Sequence, residues 1–183
     1  MIERIHAHDY REQPWKNGGG LTREIAVAFS DDETENVLWR VSLATIDRDG
    51  AFSEFRGYDR TIVALDADPV ELDVDGKVFV LEPGQPREFR GEARVACRLR
   101  GGATRDLNAM TLRDAFVHDV EIVTSTQRFV LDDDEIAFVY AIDGEAAVEN
   151  TPCSPGDTIW VQEAEAVDVR TGGSAAVIRI TPV

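Results

Sequence analysis

The sequence has 183 residues, 43% of them hydrophobic, which is enough for one domain, or two small halves that share a core, to fold without disulfides or metals. Its 35 acidic and 19 basic side chains give a formal charge of −16 at pH 7, which argues against nucleic acid and anionic membrane surfaces as partners. No apolar run is long enough to span a membrane, and the charged N-terminal segment is unlike a signal peptide, so we expect a cytoplasmic protein.

A histidine-containing motif comes first along the chain. Residues 6–12, HAHDYRE, have the HxHxxxE spacing with which metal-binding cupins present two histidines and a glutamate. The context does not fit a metal site, because the motif precedes the first clear strand and no later Pro-x-Gly turn is followed by a further histidine ligand. His118 is the remaining histidine of the sequence and lies elsewhere. We therefore predict no metal and no other cofactor.

The most informative segment is Pro14–Ile25, which reads PWKNGGGLTREI. Three consecutive glycines allow the backbone to adopt positive φ and to approach another group closely. A polar cluster on both sides of such a turn is typical of a pocket wall and not of a core. The side chains that surround the glycines are Trp15, Lys16, Asn17, Thr22, Arg23 and Glu24.

Short runs of alternating or β-branched residues recur along the rest of the chain, separated by Gly, Pro or Asp turns. This pattern is typical of a sandwich or a barrel. No segment shows sustained 3.6-residue periodicity, so we expect an all-β fold with short helices or none. The predicted strands are Val37–Ile46, Arg60–Ala67, Val70–Asp75, Lys77–Leu81, Ala93–Leu99, Arg105–Leu112, Phe116–Thr124, Glu135–Ile142, Thr158–Val161 and Ala175–Ile180.

Two of these strands have a polar face opposite an apolar one. Alternation in Val37–Ile46 places three residues on the polar side, namely Arg40, Ser42 and Ala44. In the strand around Asp106 the corresponding residues are Asp106, Asn108 and Met110. Such faces either contact solvent, as most polar faces of antiparallel sheets do, or line a pocket. The residue types favour a pocket, because they are discrete donors and acceptors and not the Lys/Glu mixture of a solvated face.

Aromatic and charged residues also cluster in the segment Phe52–Arg60, FSEFRGYDR. The segment is either a loop with its own small core or part of a pocket, since Arg60 opens a strand and could point across it. In so acidic a chain the basic residues of this region could form a local positive site for a carboxylate; they are Lys16, Arg23, Arg40 and Arg60. The alternative is a structural network that neutralises nearby acids, namely Glu24, Asp59 and Asp106.

A faint internal repeat relates the two halves of the sequence. Ile62–Asp66 is echoed by Phe138–Asp143, and the turn Pro83-Gly84 by Pro155-Gly156. Two stacked or intertwined small barrels explain this pattern better than one large sandwich does.

Signatures of covalent or phosphate chemistry are missing. The two cysteines, Cys97 and Cys153, lie far apart without CxxC spacing, so we predict free buried thiols. The glycines at 18–20 are not followed by Gly-Lys-Ser/Thr, and the sequence contains no Gly-x-Ser-x-Gly elbow. Nothing in the sequence therefore points to a hydrolase.

Taken together, four motifs resemble the HutD/Ves family in order over residues 14–110. They are PWKNGGGLTREI, then Trp39–Ile46 with Gly50 and Phe52-Ser53, then Gly57–Arg60, and then Asp106–Met110. The resemblance implies a bicupin, with two cupin-like β-barrels of the jelly-roll type in one compact unit. The N-terminal barrel, with the pocket, would comprise residues 1–115 and the C-terminal barrel residues 116–183, with strands exchanged between the halves in one variant of this arrangement.

The resemblance also implies a function. HutD members are linked to bacterial histidine utilisation, where their proposed role is to bind a pathway intermediate such as formylglutamate and tune flux, whereas Ves members are linked to stress or cold response. Carried over to this chain, the family's motif positions predict one pocket that binds a small anionic metabolite. Its predicted ligand-binding residues are Trp15, Lys16, Asn17, Thr22, Arg23, Glu24, Arg40, Ser42, Arg60, Asp106, Asn108 and Met110.

Three hypotheses follow for the function. The first is a metal-free binding protein in which Arg and Lys hold a carboxylate, Asn17 and Asn108 bind an amide or formyl group, and Trp15 packs on the apolar stem. The second is a metal-independent cupin enzyme that acts on a small organic acid, with Glu24 or Asp106 as general base. The third is a structural protein, and a homodimer through an exposed strand edge is compatible with all three.

Overall fold

A computed structural model describes residues 1–15, 18, 20–31 and 36–183 as an all-β protein, as predicted. In this described part the single helix is a short 3-10 turn, Ala7–Asp9. No described helix is long and apolar enough to cross a membrane. The strands are β1 (Ile2–Ile5), β2 (Arg11–Pro14), β3 (Gly20–Phe29), β4 (Val37–Ile46), β5 (Gly50–Ala51), β6 (Tyr58–Ala64), β7 (Val70–Val74), β8 (Lys77–Leu81), β9 (Pro86–Arg90), β10 (Val95–Leu99), β11 (Thr104–Leu112), β12 (Phe116–Val123), β13 (Gln127–Val130), β14 (Ile136–Asp143), β15 (Ala146–Val148), β16 (Thr151–Cys153), β17 (Thr158–Val161), β18 (Ala166–Thr171) and β19 (Ser174–Pro182).

One compact unit comprises Arg11–Ala115. It contains a six-stranded antiparallel sheet in the order β2-β3-β4-β11-β6-β9 and a four-stranded sheet in the order β5-β10-β7-β8. Its apolar core joins residues of both sheets, such as Ile62 of β6, Leu72 of β7 and Cys97 of β10. Ile62 pairs with Asn108 of β11, so this core shares one face of the six-stranded sheet with polar side chains of β11.

The other compact unit comprises Phe116–Val183 together with Met1–Tyr10. The N-terminal segment belongs here because β1 pairs with β17, with Ile2 opposite Val161. The sheets of this unit have the orders β1-β17-β14-β19-β12 and β13-β18-β15-β16, and they enclose a second apolar core. The predicted domain division at residues 115 and 116 stays a prediction.

The two units repeat the same strand order. The eight strands β4–β11 are arranged as β4-β11-β6-β9 and β5-β10-β7-β8. The eight strands β12–β19 have the corresponding orders β12-β19-β14-β17 and β13-β18-β15-β16. The Pro-Gly turns are also equivalent, since the Gly84 amide donates to Ala64 and the Gly156 amide to Ala141, both at 2.8 Å. No sheet closes into a barrel within the described residues, so each unit is a pair of open sheets.

Candidate ligand-binding site

The polar faces predicted for β4 and β11 lie side by side in the six-stranded sheet. Asn108 of β11 pairs with Ser42 of β4, and Met110 lies between Arg40 of β4 and Arg60 of β6. Because the pairing is in register, residues of the same parity on the three strands share one face. The sequence pattern thus brings the arginines, the serine and the asparagine to one side of the sheet.

This face forms the floor of a cavity of about 520 Å³, a volume that suits a small metabolite. Seven of the residues predicted from the sequence line it, namely Trp15, Thr22, Arg40, Ser42, Arg60, Asp106 and Asn108. The remaining lining residues are Gln13, Pro14, Ala44, Ala51, Phe52, Ser53 and Phe55. Polar groups from five strands, β2, β3, β4, β6 and β11, and from the loop that bears Ser53 therefore converge on a single concavity.

Arg60 is the most deeply buried cation of this cavity, with 7% of its surface exposed. Its guanidinium carbon lies 5.7, 5.2 and 5.1 Å from the ring centres of Phe52, Phe55 and Phe89. Its Nη1 donates a hydrogen bond of 3.4 Å to the carbonyl oxygen of Ser53. Burial lowers the pKa of Arg60 to about 10, so the guanidinium stays charged at neutral pH. The three rings fix a positive charge that water screens poorly.

Arg40 provides a second cation. Its guanidinium carbon lies 5.5 Å from the ring centre of Phe55, so this ring contacts both arginines. Burial lowers the pKa of Arg40, and the negative charge of Glu24 opposes that shift. Two desolvated guanidinium groups in a protein of charge −16 form a local site for an anion.

Asp106 is buried at the floor of the cavity, with 4% of its surface exposed. It pairs with Ala44 on one side and Ala64 on the other, so its neighbours across the sheet are small. None of the described residues donates a hydrogen bond to its Oδ1 atom. Burial raises the pKa of Asp106 to about 7, against the opposing effects of the Arg60 charge and of a hydrogen bond from Asn108.

The hairpin between β2 and β3 places Trp15 on the cavity wall. The Gly18 amide donates to the Trp15 carbonyl at 2.9 Å and Gly18 has a φ of +66°, which is the positive φ expected of this glycine run. The Trp15 indole Nε1 then donates to Thr22 Oγ1 at 2.8 Å. This bond holds the ring against β3, where it presents an apolar surface to the cavity.

Three predicted residues do not line the cavity. Arg23 points to the opposite face of β3, forms an exposed ion pair with Glu12 at 2.7 Å and does not line this cavity. Met110 is buried between Arg40 and Arg60, and the charge of Glu24 acts on Arg40. The predicted residues Lys16 and Asn17 lie outside the described residues.

The loop that bears Phe52, Ser53 and Phe55 lines the cavity, although its sequence is equally typical of a loop with its own small core. Its position depends on Gly91, whose carbonyl accepts from the Phe55 amide and whose amide donates to the Tyr58 carbonyl, both at 2.7 Å. These partners are far apart in sequence, and no local pattern identifies them. The signal that was available is the concentration of aromatics around Ser53.

We expect the substitution Gly91→Ala to displace this loop. A Cβ atom at residue 91 would lie 2.1 Å from the Phe55 carbonyl oxygen, a distance that the backbone must relieve by moving. The free energy of unfolding should fall by roughly 1–3 kcal/mol, as for other overpacked positions. Urea unfolding followed by circular dichroism measures this change.

Gly102→Ala is the matched control, because a Cβ atom there would meet nothing within 4 Å. It should leave the free energy of unfolding unchanged or slightly higher. Equal stability of the two variants would contradict the assigned role of Gly91.

The histidine motif adopts other contacts. His6 Nδ1 lies 3.2 Å from Asp157 Oδ2, and His8 lies 3.6 Å from Asp9. Glu12 pairs with Arg23 instead of joining the histidines. Within the part of the chain that the structure describes, no three His, Cys, Asp or Glu side chains are grouped to hold a metal ion.

The two cysteines are free and buried, as predicted. Burial raises the pKa of Cys97 to about 12 and that of Cys153 to about 11. Both thiols are therefore neutral at physiological pH and poor nucleophiles.

Sequence comparison identifies proteins that are similar to this chain. A family model described as HutD matches residues 7–178. An uncharacterised 21.2 kDa protein in the hutC 3′ region of Pseudomonas putida is 44% identical over 59% of this chain and 57% of its own length. Protein Ves of Citrobacter koseri is 37% identical over 64% of this chain and 63% of its own length. The matched part thus spans less than two thirds of either relative.

Structure comparison adds a match over the whole chain. HutD from Pseudomonas fluorescens SBW25, solved in a formate condition, is 33% identical, with a TM-score of 0.91 over 100% of both chains. A cupin 2 conserved barrel domain protein from Leptotrichia buccalis is 10% identical, with a TM-score of 0.59 over 99% of this chain and 96% of that one. The second likeness shows a cupin-like fold alone.

Proposed function

The chain belongs to the HutD/Ves family, and from that premise we propose that it is a metal-free protein that binds a small carboxylate and modulates histidine degradation. N-formylglutamate, or another acid of that pathway, is the ligand proposed. The link to the pathway rests on the relative in the hutC region and on the HutD match. The equivalent strand orders of the two units support the further proposal of a bicupin, with two jelly-roll modules.

The observation that carries this proposal is the pair of desolvated arginines at one cavity. Arg40 and Arg60 both contact Phe55 and both line the same concavity. Among the described residues neither forms an ion pair with a carboxylate. Arg60 uses Nη1 for the Ser53 carbonyl, and its buried Nε atom has no hydrogen-bond partner there. Guanidinium groups bind carboxylates through two parallel hydrogen bonds, and exclusion of water strengthens that interaction.

The remaining lining residues fit the rest of such a ligand. Ser42 and Asn108 present a hydroxyl and an amide from adjacent strands, and these match a formyl or amide group. Trp15 and Phe52 provide apolar surface for a short methylene stem. The cavity thus combines an anion site, an amide site and an apolar wall.

Isothermal titration calorimetry with N-formylglutamate tests this proposal. The wild-type protein should bind, and Arg40→Ala should weaken binding roughly ten- to a hundredfold, because it removes a charge-assisted hydrogen bond. Arg11→Ala is the matched control, since Arg11 is exposed on β2 of the same sheet and should leave affinity unchanged. No heat with N-formylglutamate or urocanate at millimolar concentration would contradict the proposal.

A metal-independent enzyme is the second candidate function. It is favoured by Asp106, whose raised pKa of about 7 and place in the cavity are typical of a general base. NMR spectra of the same samples would distinguish the two functions. New resonances that depend on the protein would indicate turnover, and unchanged ligand spectra despite binding would exclude it for these acids.

A further inference from the structure

We infer that this cavity binds its carboxylate ligand together with a proton, and that Asp106 holds this proton and donates it in a hydrogen bond to the ligand. The inference rests on the proposed function and adds the protonation state of the bound complex. The proton comes from solvent, and no covalent bond of the ligand changes.

The first argument is the charge of the cavity. The charged side chains among its described lining residues are Arg40, Arg60 and Asp106. An ionised Asp106 leaves one net positive charge, whereas a protonated Asp106 leaves two. A ligand with two carboxylates is therefore matched by the protonated state, and even a single carboxylate would be repelled by an ionised neighbour.

The second argument is the geometry around Asp106. Asp106 lines the cavity, and its neighbours on both adjacent strands, Ala44 and Ala64, are small. Oδ1 is fully buried and receives no hydrogen bond from any described residue. A buried acceptor without a donor lowers the stability of the fold. Protonation turns the Asp106 carboxyl group into a hydrogen-bond donor, which a ligand oxygen can accept.

The third argument is that the surrounding groups do not titrate in its place. The groups that act on Asp106 are the Arg60 charge and a hydrogen bond from Asn108 on its own strand, and its partners on β4 and β6 are Ala44 and Ala64. On β10, Cys97 is a neutral thiol, and on β3 Glu24 acts on Arg40. Arg60 stays cationic and the Cys97 thiol stays neutral at neutral pH, so of these two groups and Asp106 it is the Asp106 carboxyl group that exchanges a proton there.

The direction of the effect follows from burial. The pKa of Asp106 is already raised to about 7 in the free protein, and a bound anion raises it further. At pH 6 most molecules carry the proton before the ligand arrives. At pH 8 most must acquire it on binding, so the affinity should be about tenfold lower than at pH 6.

Calorimetry with N-formylglutamate at pH 6 and pH 8 tests the inference. At each pH the titration is repeated in two buffers of different ionisation enthalpy, and the difference in heat gives the number of protons bound. We expect nearly one proton at pH 8 and almost none at pH 6. The carboxylates of the probe stay ionised throughout this range.

Asp106→Asn keeps the size and a donor but cannot titrate, so its affinity should be equal at pH 6 and pH 8, without proton uptake. Glu88→Gln replaces an exposed carboxylate on β9 of the same sheet and should behave like wild type.

Binding without proton uptake by the wild type would overturn the inference and leave the proposed function intact. Uptake that persists in Asp106→Asn would assign the proton elsewhere, and no binding at either pH would overturn both proposals. The wild-type proton count needs no variant and decides the matter even if Asp106→Asn does not fold.

Discussion

Replacing Arg60 with methionine should lower the affinity for N-formylglutamate roughly a hundredfold or more. Arg60 is the buried cation of the cavity, and three phenylalanine rings hold its guanidinium group in place. Methionine keeps an unbranched apolar stem among these rings but offers neither charge nor donors. Loss of a buried, hydrogen-bonded charge at a binding site costs several kcal/mol, which corresponds to this change in affinity. Calorimetry on a variant with a native circular dichroism spectrum measures it.

Two further variants define the cause. Arg56→Met, at an exposed arginine of the same segment, should leave affinity unchanged. Arg60→Lys keeps the charge but loses the planar fork and should bind with intermediate affinity. If Arg60→Met and Arg56→Met bind equally well, Arg60 does not hold the ligand.

Runs of β-branched and aromatic residues between turns, such as KVFVL and TIWV, identify strands well. The bounds of Val37–Ile46, Lys77–Leu81 and Thr158–Val161 are confirmed to the residue. The strand Gly20–Phe29 was not predicted, because charged residues occupy its centre and bulges interrupt its pairing with β4. Short edge strands such as Gly50–Ala51 are too brief for any periodicity to show.

Whether a predicted site residue lies at the cavity depends on how clearly its strand alternates. Arg40, Ser42 and Asn108 lie on strands with clear alternation, and the structure places all three at the cavity, although binding by them stays a prediction. Arg23 lies on the strand that was missed. Alternation along that strand would have separated it from Thr22, which faces the cavity. The position of the loop around Phe55 depends on a distant glycine, Gly91, which no local sequence pattern identifies.

Asp106→Asn should change the pH dependence of stability. The folded protein binds a proton at Asp106 with a pKa of about 7, whereas the ordinary value is 3.8. Between these values the folded state carries a proton that the unfolded state has lost, so the free energy of unfolding of the wild type falls as the pH rises. The contribution is fully present below pH 4 and is lost as the pH passes through 7. Asparagine does not titrate, so the free energy of unfolding of the variant does not fall in this way as the pH rises.

The variant should therefore gain stability relative to wild type between pH 5 and pH 8, by roughly 2 to 3 kcal/mol. Urea unfolding of the ligand-free proteins at both pH values measures the difference, and comparison at two pH values cancels the effect of the amide itself. Glu88→Gln, which replaces an exposed carboxylate on β9, is the matched control and should unfold like wild type at both pH values. A difference between Asp106→Asn and wild type that is the same at pH 5 and pH 8 would mean that Asp106 is ionised in the folded protein throughout this range. Two cations and one anion would then face the ligand, and selection would favour a single carboxylate over two.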